Sequence, residues 1–328
     1  MGDKMDKDLF ARNSMEKDIS RYPHKPVLLD AVTASIITDP CGIYVDCTAG
    51  SGGHSEAILK KLTSEGKLLC LDQDPGAIAF IKERFATLND QVRIIRSPFA
   101  DLPGVLVLLG IKKVNGILMD LGMSSWQIDF SGRGFSFMRN EPLDMRMNPE
   151  NKISARDLLE NIPERELSNL IKKYGEEKRA KYIAKAIAKE RHIRPIETTE
   201  HLRNIIEAII PYRINGKNPA TKTFQAIRIA VNNELEQLEK MLSRVPDLLI
   251  RGGRIAVLSY HSLEDRLVKQ TMIEWEHGCT CPKNLAKCLC GFTAKMKRIF
   301  LKGIKPDSDE IKKNSRSRSA VLRVSEKL

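Results

Sequence analysis

The chain has 328 residues, 42% of them hydrophobic but only 5% aromatic, and its 54 Lys and Arg outnumber its 42 Asp and Glu to give a net charge of +12. This is enough aliphatic side chain for one large soluble domain or two ordinary ones. No run approaches the roughly 18 apolar residues of a membrane span, and the N-terminal segment has no apolar stretch of the signal-peptide kind, so a cytoplasmic location is expected.

The positive charge favours a polyanionic partner, because Lys and Arg placed near phosphates release condensed counterions. Charge alone does not separate nucleic acid from a membrane surface. Seven cysteines, an odd number, are split between Cys41, Cys47 and Cys70 in scattered contexts and the cluster Cys279, Cys281, Cys288 and Cys290. That distribution does not resemble a secreted disulfide framework, and reduced thiols are the default.

In chain order, residues 1–22 are polar and aperiodic and are expected to form a disordered leader. Short apolar runs at 43–46, 68–71, 92–96 and 116–120 predict buried strands, and the segments 55–62 and 75–85 between them predict helices. Strands alternating with helices imply an α/β fold with a parallel sheet covered on both faces. From 124 to 217 the apolar residues recur at helical spacing, as at Leu202, Ile205, Ile206 and Ile209, so a helical insertion is expected there. A long helix over 223–242, a turn at Arg251-Gly252-Gly253 and strands at 254–259 and 319–324 return to the first pattern. The expected organisation is therefore a discontinuous domain, 23–123 and 218–328, interrupted by the insertion.

The richest chemistry lies in Val45-Asp46-Cys47-Thr48-Ala49-Gly50-Ser51-Gly52-Gly53-His54 followed by Leu71-Asp72. Strand, glycine turn, helix start and a second strand ending in an acid form the layout of a nucleotide-binding βαβ unit. The glycines let backbone approach a ligand, the helix start offers unpaired N–H groups, and Asp72 is placed to hold two ribose hydroxyls. Dinucleotide enzymes normally show G-x-G-x-x-G, whereas this turn is Gly50-x-Gly52-Gly53. If Asp46 points into the crevice, its charge repels a pyrophosphate and suits a cationic methionine group, which favours S-adenosylmethionine over a nicotinamide cofactor.

Two further strand ends carry polar residues. Asp120 precedes Leu121-Gly122-Met123-Ser124-Ser125 and is a candidate acceptor for an amino group undergoing methylation, a cofactor contact, or simply a turn cap. His261, in Ser259-Tyr260-His261-Ser262-Leu263-Glu264, is a candidate proton acceptor or base-stacking group, the alternative being a helix start capped by Ser262. The segments 132–138 and 143–147 combine glycine, aromatic and arginine residues that suit single-stranded RNA or pack as an apolar cluster. Lys178, Arg179, Lys181, Lys185, Lys189 and Arg191 give one helix a basic face. Four thiols within 12 residues, Cys279, Cys281, Cys288 and Cys290, suit tetrahedral zinc, although C-x-C is closer than the usual spacing.

Long stretches in fixed order, including Gly50-Ser51-Gly52-Gly53-His54-Ser55, Asp72-Gln73-Asp74-Pro75, Asp120-Leu121-Gly122-Met123-Ser124-Ser125, Arg133-Gly134-Phe135-Ser136-Phe137-Met138-Arg139, Pro219-Ala220-Thr221-Lys222-Thr223-Phe224-Gln225-Ala226 and Ser259-Tyr260-His261-Ser262-Leu263-Glu264-Asp265-Arg266, resemble the RsmH (MraW) family of 16S ribosomal RNA cytosine-1402 N4-methyltransferases. The resemblance runs over nearly the whole chain from about residue 23. It implies a Rossmann-like class I S-adenosylmethionine-dependent methyltransferase sheet with a helical insertion that recognises substrate. It further implies that Gly52, Gly53 and His54 contact the methionine part of the cofactor, Asp72 the ribose and Phe99 the adenine, with Asp120 and Gln127 completing the pocket. Trp126 stands where many relatives have proline. The implied partner is 16S ribosomal RNA or the small ribosomal subunit, with no membrane and with a homodimer left open. A nicotinamide oxidoreductase on the same βαβ unit and a non-catalytic, zinc-stabilised RNA-binding protein are the rival readings.

Overall fold

The computed structural model describes residues 26–88, 90–211, 218–279, 281 and 289–328. The expected leader and Cys288 lie outside the described residues. In chain order the elements are α1 (Leu29–Ile36), β1 (Ile43–Asp46), α2 (Gly53–Leu59), β2 (Lys67–Asp72), α3 (Pro75–Arg84), β3 (Val92–Arg96), α4 (Leu102–Leu108), β4 (Val114–Asp120) and α5 (Ser125–Asp129). Then follow α6 (Ala155–Asn161), α7 (Glu164–Gly175), α8 (Ala180–Arg191), α9 (Thr199–Ile209), α10 (Ala220–Asn232) and α11 (Glu234–Leu248). The chain closes with β5 (Leu249–Ser259), α12 (Ser262–His277), β6 (Met296–Arg298), α13 (Ser308–Lys313) and β7 (Val321–Lys327).

The strands form one seven-stranded sheet in the order β3-β2-β1-β4-β5-β7-β6. Strands β1 to β5 pair in parallel, whereas β7 runs antiparallel to both β5 and β6. This order is the Rossmann-like sheet that the sequence resemblance implies. Its strands are apolar on alternate positions of both faces because helices cover both. Val45, Leu69, Leu71, Ile117, Met119, Ile255 and Val257 pack on one side with α4, α11 and α12. Tyr44, Leu68, Cys70, Leu118, Ala256 and Leu258 pack on the other with α1, α2 and α3. The chain crosses from β3 over β1 to β4, so β1 and β4 diverge in connection at their carboxyl ends, where open α/β sheets bind ligands.

Among the described residues, no strand interrupts the helices between β4 and β5. They enclose a second core, from Phe135 and Leu143 through Leu167, Ile183, Leu202 and Ile206 to Phe224, Ile227 and Val231. Helix α10 therefore belongs to this core, while α11 packs its Leu238, Met241, Leu242 and Val245 against the sheet.

Two sequence expectations change. The single long helix over 223–242 is two helices, broken where Asn233 takes a left-handed conformation at φ 50°. Asparagine tolerates that region, and the bidentate ion pair of Arg228 with Glu234, at 2.7 and 2.8 Å, locks the corner. The turn expected at Arg251-Gly252-Gly253 lies inside β5, where pairing to β4 shifts register between Val114 and Gly116 and Gly252 takes φ 78°. Between the pairs Val114–Leu249 and Gly116–Arg254, β5 advances five residues against two on β4, and a bulge of this kind shifts register without ending the strand. The short edge strand β6 had no sequence expectation.

Candidate active site

The carboxyl ends of β1, β2, β4 and β5 converge on a cavity of about 350 Å³. That is within the roughly 300–1,000 Å³ typical of cofactor sites. Gly53, His54, Asp72, Phe99, Asp120, Gln127 and His261 all line it, although they come from segments spread over two hundred positions of sequence. Gly52 does not line the cavity; at φ 79° it turns the chain from β1 into α2.

The β1 turn is built by its own polar groups. Thr48 Oγ1 accepts the Asp120 amide at 2.7 Å, which ties the turn to the end of β4, and the Gly50 amide donates to Asp72 Oδ2 at 2.9 Å. Asp72 Oδ1 accepts the Asp74 amide at 2.8 Å. Burial pushes the Asp72 carboxyl up to about 6 against these two hydrogen bonds. A Cβ on Gly53 would stand 2.4 Å from Pro26 Cγ, so only glycine lets α2 begin this close to the chain before α1.

Asp46 is not in the crevice. It is 1% exposed and accepts hydrogen bonds from Ser55 Oγ at 2.6 Å and the Thr48 amide at 3.2 Å, so it braces the turn from behind. The charge argument that placed it against the cofactor therefore does not hold. The preference over a dinucleotide rests instead on the glycine spacing and on Asp120.

Asp120 closes β4 with its side chain 26% exposed toward the cavity. Tyr260, from the end of β5, donates its hydroxyl to Asp120 Oδ1 at 2.7 Å. His54 Nδ1 stands 3.6 Å from Oδ2, while Nε2 of the same ring lies 3.0 Å from the Val27 carbonyl, an acceptor that fixes Nε2 as the donor. Burial holds the His54 pKa below its ordinary value. Burial likewise lifts the Asp120 carboxyl to about 7, opposed by the Tyr260 hydrogen bond and assisted by the negative charge of Glu264.

Gln127 is 5% exposed and its amide is fully engaged: Oε1 accepts the Ser124 amide at 3.1 Å in a capping box for α5, and Nε2 donates to Asp74 Oδ2 at 3.0 Å. The same Asp74 caps α3 through the Gly76 amide and pairs with the Arg133 guanidinium. Arg133 in turn donates to the carbonyls of Arg146 and Met147, which joins the helical part to the rim of the cavity. Phe135 and Met147 are buried in the second core and Phe137 packs edge-on against Phe224, so these side chains are packing groups and not stacking platforms for bases. Arg316 reaches across from the C-terminal segment to Ser125 Oγ at 2.8 Å and Asp129 at 2.7 Å.

His261, and not Ser262, caps α12: its Nδ1 accepts the Glu264 amide at 3.3 Å, while Ser262 Oγ donates to Glu176. Nε2 is buried 3.1 Å from Glu264 Oε1 without the alignment of a hydrogen bond. Burial would raise the Glu264 carboxyl, but His261 and then Arg228 outweigh it and hold the pKa below its usual value. Glu234, His261 and Glu264 lie within 4.8 Å of one another, and the buried guanidinium of Arg228 balances that cluster. Tyr260, Glu264 and Arg228 are the site residues that sequence reasoning did not single out. Tyr260 stood inside a quoted motif, but nothing in its spacing pointed to Asp120.

The cavity suits S-adenosylmethionine: an acid at the end of β2 for hydroxyls, the Phe99 ring beside it, a tight glycine turn, and carboxylate character near the end of β4 for a cationic centre. The comparisons agree. The model of the MraW methylase family matches residues 21–328. The ribosomal RNA small subunit methyltransferase H of Caldicellulosiruptor saccharolyticus is 47% identical over 94% of this chain and 100% of its own length. Proteins of the same name from Heliobacterium modesticaldum and Fusobacterium nucleatum are 45% and 44% identical, over 94% and 96% of this chain and 99% of each relative. The chain belongs to the MraW methylase family and is an S-adenosylmethionine-dependent methyltransferase.

Proposed function

We propose that the protein methylates the N4 amino group of a cytidine, of the position-1402 type, in 16S ribosomal RNA, acting in the cytoplasm on the RNA or the small subunit. The observation that carries this reading is the Asp120 carboxyl, aimed into the cavity and clamped by Tyr260. The relatives' names support the ribosomal substrate.

An exocyclic amine needs its lone pair drawn out of the ring. When the amino N–H groups donate to Asp120 and a neighbouring carbonyl, the lone pair localises on nitrogen and lines up for in-line attack. S-adenosylmethionine supplies an electrophilic methyl on a sulfonium. Gly53 and His54 would border its methionine part, with Gly52 shaping the turn, Asp72 would hold the ribose, Phe99 would cover the adenine, and Gln127 would keep Asp74 and α5 in place around it. Methyl transfer would exchange the S–CH3 bond for an N–CH3 bond, leave S-adenosylhomocysteine and require the amine to lose a proton, which a carboxylate titrating near neutrality is suited to accept. His261 has its Nδ1 occupied by the Glu264 amide, so we assign it to positioning α12 beside Tyr260 and leave proton transfer to Asp120 and solvent. No covalent base adduct is needed.

The helical part, 124–217 by sequence, is the proposed substrate-recognition unit. On α8 the exposed Lys181, Lys185 and Lys189 flank Tyr182, which is 66% exposed, and this arrangement fits a phosphate backbone with an unpaired base. Arg179, which precedes that helix, and Arg191 at its end are spent on backbone carbonyls of Ile209, Leu159 and Ile162.

Transfer of labelled methyl groups to small-subunit RNA tests the reading. Label recovered as N4-methylcytidine supports it; label recovered on another base or on a ring carbon overturns it.

A further inference from the structure

We propose that Cys279, Cys281 and Cys290 form a zinc-binding site that ties off the connection between α12 and the edge strand β6. The three sulfurs lie within 4.8 Å of one another, although Cys279 and Cys290 are exposed and Cys281 only half-buried. Burial does not explain their convergence, because Leu289 beside them is 77% exposed and no core cluster includes the segment among the described residues.

The geometry points to a shared metal. Sγ of Cys279 and Cys290 are 3.5 Å apart. Zinc–sulfur bonds of about 2.3 Å at tetrahedral angles set sulfurs ~3.8 Å apart, whereas a disulfide requires about 2.05 Å. The Leu289 amide donates to Cys281 Sγ at 3.3 Å, and such a backbone N–H favours a thiolate over a thiol. Both ends of the segment are docked on the last turn of α12: a Cβ on Gly278 would meet the Phe292 ring at 2.7 Å, and the Lys295 amide donates to the Trp275 carbonyl at 2.9 Å. The described residues thereby bring three soft ligands together beside the end of α12, leaving the fourth tetrahedral position to one further donor.

Binding converts three thiols to thiolates and releases three protons per zinc, with no change of oxidation state. None of the three cysteines lines the cavity, so the role of the site is to anchor the end of α12 to the described segment that leads into β6.

The test is the zinc content of the full-length protein, purified under reducing conditions and dialysed without chelator. One zinc per chain is expected, replaceable by cobalt with a thiolate-to-cobalt charge-transfer band. The Cys279→Ser/Cys281→Ser double variant should lose both signals while keeping the wild-type circular dichroism, and Cys41→Ser should keep the metal. Absence of stoichiometric zinc and cobalt from the reduced wild type, or full metal retention by the double variant, overturns the proposal.

Discussion

The hydroxyl of Tyr260, at the end of β5, donates a 2.7 Å hydrogen bond to Oδ1 of Asp120, at the end of the neighbouring β4. Asp120 pairs in register with Leu258, so the two side chains emerge from adjacent strands at the edge of the cavity. Their contact controls both where the carboxyl points and when it is charged.

The pH dependence follows from that control. Burial raises the Asp120 pKa to about 7, so lowering the pH through 7 protonates the group that must accept the amino hydrogens. The pH profile of kcat/KM should therefore rise with an apparent pKa near 7 and level off above it. Asp120→Asn should abolish this limb and lower kcat by roughly 10²–10⁴, the range for loss of a positioned acid–base group. A profile with the same limb in the variant contradicts the assignment.

Tyr260→Phe removes a hydrogen bond that favours the carboxylate. The acid limb should move to higher pH, and activity at neutral pH should fall by roughly tenfold, the scale of one hydrogen bond to a charged group, with partial recovery in alkaline buffer. A purely structural tyrosine would lower activity equally at every pH.

Gly53→Ala places a methyl group 2.4 Å from Pro26 Cγ in a wall of the cavity. Overpacking of this kind costs about 1–3 kcal/mol, so thermal unfolding should shift down and calorimetric affinity for S-adenosylhomocysteine should weaken. Unchanged affinity would remove the turn from the cofactor site.

His261 separates capping from proton transfer. Asn is a good helix N-cap and Ala is not, so His261→Asn should retain stability and most of kcat, whereas His261→Ala should lose about 1 kcal/mol of stability in chemical denaturation. Equal, large losses of kcat in both variants would return the proton-acceptor role to His261.

Charge reversal at Lys181, Lys185 and Lys189 should raise KM for RNA with little change in kcat. The salt dependence of RNA binding should also flatten, by roughly 0.7–0.9 in log–log slope for each phosphate that is no longer neutralised. An unaltered slope would place the RNA elsewhere.

What was legible in the sequence follows from how far each signal reaches. Strands β1, β2 and β4 were readable because burial on both faces makes them short, continuous apolar runs, as in Ile117, Leu118 and Met119. The glycine turn and Asp72 were readable because their chemistry is local. The break at Asn233 was not, since neither Gly nor Pro marks it and the stabilising pair, Arg228 with Glu234, exists only once the corner has formed. The same holds for Asp46, whose position in sequence suggested the crevice but whose partner Ser55 draws it into the interior. Tyr260 and Asp120 are 140 residues apart, and only the order of the strands brings them together.

The central claim is tested most directly by mass spectrometry of small-subunit ribosomal RNA from cells lacking the protein, complemented with wild type or with Asp120→Asn. N4-methylcytidine should be missing without the protein, return with wild type and stay missing with the variant. Unchanged N4-methylcytidine in the cells lacking the protein would contradict the account.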